Sequence, residues 1–364
     1  MSKLFIGLMS GTSVDSIDAV IVDFAAKPLK LIASHKEKIP ALLKRRLLHL
    51  CYPAADEINQ LGQLDRLMGK LLAYASLNVL KKAQITPNKI IAIGSHGQTV
   101  RHMPHGKSAF TLQIGDPNTI AALTGIATIA DFRRRDLAEG GEGAPLAPAF
   151  HRYLFSKVRS DSVMVNIGGM ANITVLSPRK VLGFDTGPGN VLLDAWIKKH
   201  RNLTYDRNGT WAAKGAINQK LLRRLVADPY FARKPPKSTG REYFNLQWLH
   251  KYLCEKLKPQ DVQATLTELT AFAITQSINT YAQTARRIFI CGGGAYNRCL
   301  MQRLIALNPS RQIATTAMLG IEPILIEPIA FAWFAYQTFS HQPIDLTSVT
   351  GAKRPVILGG VYHS

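Results

Sequence analysis

Apolar residues run almost unbroken over 4–9, the pattern of a buried strand, and a turn of small polar residues, 10–16, follows. Positions 18–24 alternate apolar and polar and predict a second strand; 29–36 predict a third. Over 41–83 the apolar residues recur at helical spacing. Residues 90–95 read as a buried strand, and 99–103 and 110–114 as the arms of a hairpin around Pro104-His105-Gly106. A helix starting at Pro117 and a strand at 126–130 complete the first half.

Near residue 160 the pattern starts again. A strand at 162–166, a glycine-containing turn at 167–171 and strands at 172–176 and 180–184 precede a long helix at 260–285. A strand at 287–291 then enters a glycine turn, a helix opens at Asn297, and a last helix covers 327–339. The order strand, small-residue turn, strand, strand, helices thus occurs twice, a duplication with a period near half the chain. Strands mixed with helices place the fold in the α/β class. With 364 residues the chain suits two domains. The expected division is 1–158 and 159–364, with the last helix free to pack back on the first, and a ligand-binding cleft between them.

Composition changes this picture little. Lys and Arg number 45 against 24 Asp and Glu, a formal charge of +21. The basic residues are scattered, apart from tight runs such as 133–135, and no helix-turn-helix, zinc-finger or RNA-binding signature accompanies them. The charge therefore points to an anionic small molecule and not to a specific nucleic acid. No apolar stretch approaches the ~20 residues that span a bilayer; the best, 324–335, is interrupted by Glu327 and Pro328. The N-terminus lacks the pattern of a secretory signal. The four cysteines form no C-x-x-C pair and read as reduced thiols. A soluble, cytoplasmic protein with no membrane partner is expected.

Three segments carry candidate chemistry. Small residues over 10–18 let backbone N–H groups approach an anion, while Asp15 and Asp18 offer carboxylates to a metal ion or a hydroxyl; an ordinary hairpin turn accounts for the same residues equally well. Asp185 stands in Gly183-Phe184-Asp185-Thr186-Gly187-Pro188-Gly189-Asn190, at a strand end before a helical run. A carboxylate there can act as a base, with nearby backbone donors facing a phosphate and Pro188 at the first helical position; the other reading is a helix cap. Gly292, Gly293 and Gly294 follow a strand and admit either a base or phosphate or a plain flexible turn. His96 lies at a strand end, and Asp131, Arg133, Asp136 and a glycine-rich stretch to Pro145 read as a polar loop. Arg133 matches a carboxylate partner.

Taken together the motifs resemble anhydro-N-acetylmuramic acid kinases, of the acetate and sugar kinase, heat-shock protein and actin superfamily. The matching stretches are MSGTSVDSID, GSHGQTVRH, QIGDPNTIA, TGIATIADFRRRD, GGEGAPLAP, NIGGMANIT, GFDTGPGN, STGREYFN, TLTELTA, CGGGAYN and TGAKRPVILG, in order from Met9 to Gly359. The resemblance implies two actin-like, ribonuclease H-like domains with mixed sheets flanked by helices. It implies ATP with Mg²⁺ as cofactors, and conversion of 1,6-anhydro-N-acetylmuramic acid to N-acetylmuramic acid 6-phosphate in cell-wall recycling. A conventional hexose or amino-sugar kinase is the alternative, and a homodimer is compatible with either. Gly11, Thr12, Ser13, Val14, Asp15, Ser16, Ile17 and Asp18 correspond to the ATP phosphate segment, and Gly292, Gly293 and Gly294 to the nucleotide. Asp185 matches the catalytic base, with Glu327 beside it in the catalytic set. His96, Gln98, Thr99, Asp131 and Arg133 match sugar contacts. Three departures stand out: Ser16 for the family's usual Gly, Glu142 for Gln, and Pro328 for Ala.

Overall fold

The computed structural model describes residues 2–11, 13–27, 29–155, 162–176, 181–254 and 256–364. The chain divides into two compact units, Met1–Phe150 with Leu325–Ser364, and His151–Ile324.

In the first unit β1 (Leu4–Ser10), β2 (Ser16–Asp23) and β3 (Lys30–Lys38) form an antiparallel meander. β1 is buried along its whole length because it is central in its sheet, which explains its unbroken apolar run. The helical pattern after it is two helices, α1 (Ala41–Leu50) and α2 (Glu57–Ala83), not one. Pro53 and the left-handed Asp56 (φ 58°) separate them. β4 (Ile90–Ser95) runs parallel to β1, and β5 (Gln98–Met103) with β6 (Phe110–Ile114) makes a separate hairpin. α3 (Pro117–Thr124) is capped by the Asp116 carboxylate, which accepts from the amides of Asn118 and Thr119. β7 (Thr128–Ala130) lies parallel to β4. The segment read as a polar loop from Asp131 begins instead with α4 (Phe132–Ala138), whose Phe132 and Asp136 face inward. α5 (Ala147–Leu154) follows.

The second unit repeats the plan. β8 (Ser162–Ile167), β9 (Met170–Val175) and β10 (Leu182–Pro188) form a second meander. The expected strand start at Lys180 lies outside the described residues. α6 (Val191–Arg201), α7 (Gln219–Val226), α8 (Pro229–Ala232), α9 (Leu246–Tyr252) and the long α10 (Pro259–Tyr281) come next. β11 (Arg287–Cys291), α11 (Arg298–Leu307) and β12 (Gln312–Thr315) end the unit. The chain then returns to the first unit with α12 (Ile326–Phe339) and β13 (Gly360–Tyr362).

The sheets are ordered β3-β2-β1-β4-β7-β13 and β10-β9-β8-β11-β12. Counted within each unit, both place their first five sheet strands as three, two, one, four, five, with the second antiparallel to its neighbours and the fourth and fifth parallel to the first. The duplication legible in the pattern is thus a duplicated topology. The fold class is α/β, two mixed, ribonuclease H-like sheets flanked by helices.

α12 lies directly on the first sheet. Gly7 of β1 and Gly94 of β4 are register partners. A Cβ on Gly7 would overlap the Pro328 carbonyl oxygen, and one on Gly94 the Phe331 carbonyl oxygen. Only bare backbone at both positions allows this approach. Gly94→Ala is therefore expected to lose about 1–3 kcal/mol through overpacking against main chain that has no room to yield. Thermal unfolding should show a Tm several degrees lower. Gly62→Ala, at a position in α2 where a Cβ meets nothing within 4 Å, should leave the Tm level or raise it.

Candidate functional site

The turn between β1 and β2 is built around a strained residue. Val14 is β-branched, fully buried and held at φ 54°, with its N–H donating to the Gly11 carbonyl at 3.1 Å. A side chain of that shape in the left-handed region costs about 1–3 kcal/mol. Val14 and Ile17 both belong to the hydrophobic core, so only their backbone is available to a ligand. Gly11 is open: a Cβ there would meet nothing within 4 Å. Ser13 is exposed, and Thr12 lies outside the described residues. Asp15 is ion-paired with Lys44 of α1. Ser16 opens β2, and its carbonyl accepts from Ser10 Oγ at 3.4 Å. Asp18 is half-buried, and burial pushes its carboxyl above the usual range against the opposing pull of Lys36, its cross-strand partner.

The turn is tied to the residues expected to contact the sugar. Ser10 Oγ donates to Gln98 Oε1 at 2.6 Å, both buried, and Gln113 Nε2 donates to Thr99 Oγ1 at 3.1 Å. His96 follows β4 and is fixed from both ring nitrogens. Arg133 Nε donates to its Nε2 at 3.1 Å, so Nε2 is unprotonated and Nδ1 donates to the Gly97 carbonyl at 3.0 Å. Burial, with the Arg133 charge adding to it, holds His96 well below the usual histidine value. His96 is a neutral imidazole of one tautomer across the physiological range. Arg133 also donates to the Gly143 carbonyl at 2.8 Å, which ties α4 to the glycine stretch. Asp136 completes that tie: its carboxylate accepts from Gly143 N at 2.7 Å and Thr350 Oγ1 at 2.8 Å. Glu142 Oε2 in the same stretch is buried without a hydrogen-bond partner among the described residues.

His96 and Asp131 share a polar cavity of about 270 Å³ with Asp65, Asp116, Gln113 and Tyr362, whose hydroxyl donates to Asp131 Oδ2 at 3.0 Å. Gln98, Thr99 and Arg133 stand outside its lining. Glu327 lies in the first turn of α12, where a carboxylate complements the helix dipole. Pro328 beside it takes a first-turn place whose N–H needs no intrahelical partner, so it leaves the helix start intact. His96 packs on Phe331 of the same helix, ring centroids 4.7 Å apart.

In the second unit Asp185 is 5% exposed on β10. Cross-strand pairing sets Cys291, Asn166, Asn172 and Asp185 side by side across β11, β8, β9 and β10. Directly paired residues project to one face of a sheet, so the row forms a polar strip. Asn172 Oδ1 is buried in it with no hydrogen-bond partner among the described residues. The Asp185 main chain is anchored twice: its N–H donates to the Lys237 carbonyl at 3.1 Å, and Tyr230 OH donates to its carbonyl at 2.8 Å. Its Oδ2 accepts from the Thr239 N–H at 3.0 Å.

Two details differ from the reading of the sequence. α6 begins at Val191, and Pro188 ends β10 instead of opening the helix. The amides of Gly189, Asn190 and Val191 donate to the carbonyls of Gly168 and Gly169, which closes the β8–β9 turn against them. They are spent there, not offered to a phosphate. Sequence reasoning also passed over Asn166, Asn172, Lys237 and Thr239. The stretches NIGGMANIT and STGREYFN were visible, but only strand register and a loop hydrogen bond show that they meet at Asp185.

The three glycines after β11 have different reasons to be glycine. A Cβ on Gly292 (φ 79°) would overlap Asn166 Oδ1, and one on Gly294 would overlap Ile167. Gly293 is exposed, with Asn190 Nδ2 at 4.0 Å as the nearest atom to such a Cβ. On this geometry Gly293→Val keeps the Tm and Gly294→Ala lowers it; with the nucleotide beside Gly293, as the resemblance implies, Gly293→Val is also expected to raise the KM for ATP more than that for the sugar. Steady-state kinetics with thermal unfolding on the two variants checks this; an unchanged ATP KM in Gly293→Val contradicts the placement.

The family model and the relatives agree with one another. Residues 3–364 match the family model described as anhydro-N-acetylmuramic acid kinase. A protein of that name from Shewanella sp. (strain MR-7) is 55% identical over 364 residues, covering 99% of this chain and 98% of the relative. One from Coxiella burnetii (strain Dugway 5J108-111) is 52% identical over 362 residues, covering 98% and 97%. Among solved structures, the activator of the 2-hydroxyisocaproyl-CoA dehydratase from Clostridium difficile with bound ADPNP is similar at TM-score 0.47 and 12% identity, over 94% of this chain and 96% of that one. That likeness is too loose to add to the assignment, which rests on the family model and the relatives: the chain belongs to the anhydro-N-acetylmuramic acid kinase family.

Proposed function

We propose that the protein uses ATP to convert 1,6-anhydro-N-acetylmuramic acid and water to N-acetylmuramic acid 6-phosphate and ADP. It is a phosphotransferase by family, and the observation that carries the reading into residues is Asp185: a buried carboxylate, held at one oxygen by the Thr239 amide and flanked by Asn172. In this reading Asp185 takes a proton from water as its oxygen bonds to C1. The C1–O6 bond breaks, and O6 accepts the γ-phosphoryl group as the bond to the ADP oxygen breaks. Phosphoryl capture does for the leaving oxygen what a carboxylic acid does in glycoside hydrolysis.

The remaining residues take supporting parts. The turn Gly11 to Asp18 holds the ATP phosphates through its open glycine and backbone amides, with Gly293 beside the nucleotide. His96, Gln98, Thr99, Asp131 and Arg133 serve the sugar, and Glu327 belongs to the catalytic set by its match to the family. Mg²⁺, when bound with the nucleotide, would supply charge neutralisation on the triphosphate. It is normally held by one or two carboxylates together with the phosphates. Asp18, half-buried beside the turn, is the carboxylate that would meet it. Among the described residues no helix is long and apolar enough to cross a membrane. We place the enzyme in the cytoplasm, where ATP is supplied.

A coupled ADP-release assay tests the function. ADP should form with the 1,6-anhydro sugar and not with N-acetylglucosamine or glucose, and the product should carry phosphate on O6 and a free hydroxyl on C1. Phosphorylation of the ordinary sugars with no turnover of the anhydro sugar would assign a conventional sugar kinase instead.

A further inference from the structure

The segment Lys237–Thr239 belongs to STGREYFN and the residue before it, a stretch with no role in the reaction described so far. It is bound to Asp185 from both sides. Lys237 supplies the carbonyl that accepts the Asp185 amide at 3.1 Å, and Thr239 supplies the amide that holds Asp185 Oδ2 at 3.0 Å. The Lys237 ammonium is buried over two ring faces, 4.7 Å from the Tyr230 centroid and 5.7 Å from that of Phe184. Tyr230 in turn donates to the Asp185 carbonyl. Burial, with Arg233 adding and Asp185 opposing, brings Lys237 down to about 8, so it is still largely protonated at neutral pH and places positive charge close to the carboxylate.

Between these contacts stand two hydroxyls with nothing to do. Ser238 Oγ and Thr239 Oγ1 are both buried and neither has a hydrogen-bond partner among the described residues. Ser238 is 4% exposed. Buried hydroxyls are almost always partnered in folded proteins, so an unpartnered pair demands a reason. Thr239 Oγ1 is three bonds from the amide nitrogen that holds the base.

We infer that the hydroxyls of Ser238 and Thr239 contact the oxygen nucleophile and the sugar hydroxyl beside it, making these two residues part of the catalytic site with Asp185. Thr239 accepts or donates one hydrogen bond to the attacking oxygen while its amide orients the carboxylate, so that the proton travels along a fixed line to Asp185. The inference rests on Asp185 being the base.

The test is a set of conservative variants of the full-length enzyme assayed for turnover of the anhydro sugar, with Tm and ATP KM measured on each. Thr239→Val keeps the amide and the shape and removes only the hydroxyl. Its kcat should fall about tenfold or more, the scale of one lost hydrogen bond in a buried site. ATP KM and Tm should stay near wild type. Thr239→Ser should restore most of the rate, and Ser238→Ala combined with Thr239→Val should lose more than either alone. A purely structural role predicts the reverse: a lower Tm with kcat intact. A double variant with wild-type kcat and sugar KM overturns the inference. Should the double variant fail to fold, Thr239→Val against Thr239→Ser decides it. Asp185→Asn run in parallel separates the two levels: an active Asp185→Asn removes the reading of the base itself, whereas an inactive Asp185→Asn beside a fully active Thr239→Val removes only the role given to the hydroxyls.

Discussion

The first unit depends on one close approach, that of the α12 backbone to the glycine pair Gly7 and Gly94. Any side chain at either position would meet a carbonyl oxygen of the helix. Because the two glycines are register partners on adjacent parallel strands, the helix settles over the centre of the sheet, close to the strand ends that lead into the β1–β2 turn and His96. Phe331 then reaches the His96 ring, and Glu327 falls one turn earlier on the same helix. A contact 87 residues apart in sequence, Gly7 with Gly94, thus fixes where a residue beyond 320 stands.

In the second unit the corresponding constraint is polar. A carboxylate works as a base only when it stays ionised and keeps one lone pair aimed at the proton it takes. Asp185 is almost wholly buried. The Thr239 amide holds one of its oxygens, the Lys237 ammonium lies nearby, and two main-chain hydrogen bonds fix Asp185 in the middle of β10. Preorganised donors of this kind cost nothing at the moment of reaction, since they are in place before the substrate binds.

Much of this was legible in the chain. The unbroken apolar run at 4–9 and the restart near 160 announced two buried central strands and a duplicated plan, because a strand covered on both faces has no reason to alternate. Asp185 stood out because a lone acid among glycines and a proline is rare unless the turn has a task. What escaped notice did so for physical reasons. The helix at Phe132–Ala138 begins with three arginines in its first turn, a charge pattern that disfavours a helix start; its docking through Phe132 and Asp136 outweighs that. The break at 51–56 is shorter than the periodic signal on either side. Asn172 and Thr239 are ordinary polar residues in sequence; they become part of the site only through register and through a loop that returns more than 50 residues after β10 began. The amides after Pro188 looked free for an anion because nothing in the sequence says that the Gly168-Gly169 turn closes on them.

The central claim is that Asp185 accepts the proton of the attacking water. The most direct measurement is turnover of the anhydro sugar by Asp185→Asn, with Tm and ATP affinity determined on the same preparation. Asn keeps the size and can still accept from the Thr239 amide, but it cannot take up a proton at neutral pH. General-base catalysis contributes about 10²–10⁴-fold, so the account predicts a folded, ATP-binding variant whose turnover has fallen by at least about 10²-fold, with water attack and phosphorylation lost together. If Asp185 were only a cap for the following helix, the variant would lose about 1 kcal/mol of stability and keep its rate. A folded Asp185→Asn enzyme that converts the anhydro sugar at near wild-type rate would contradict the account.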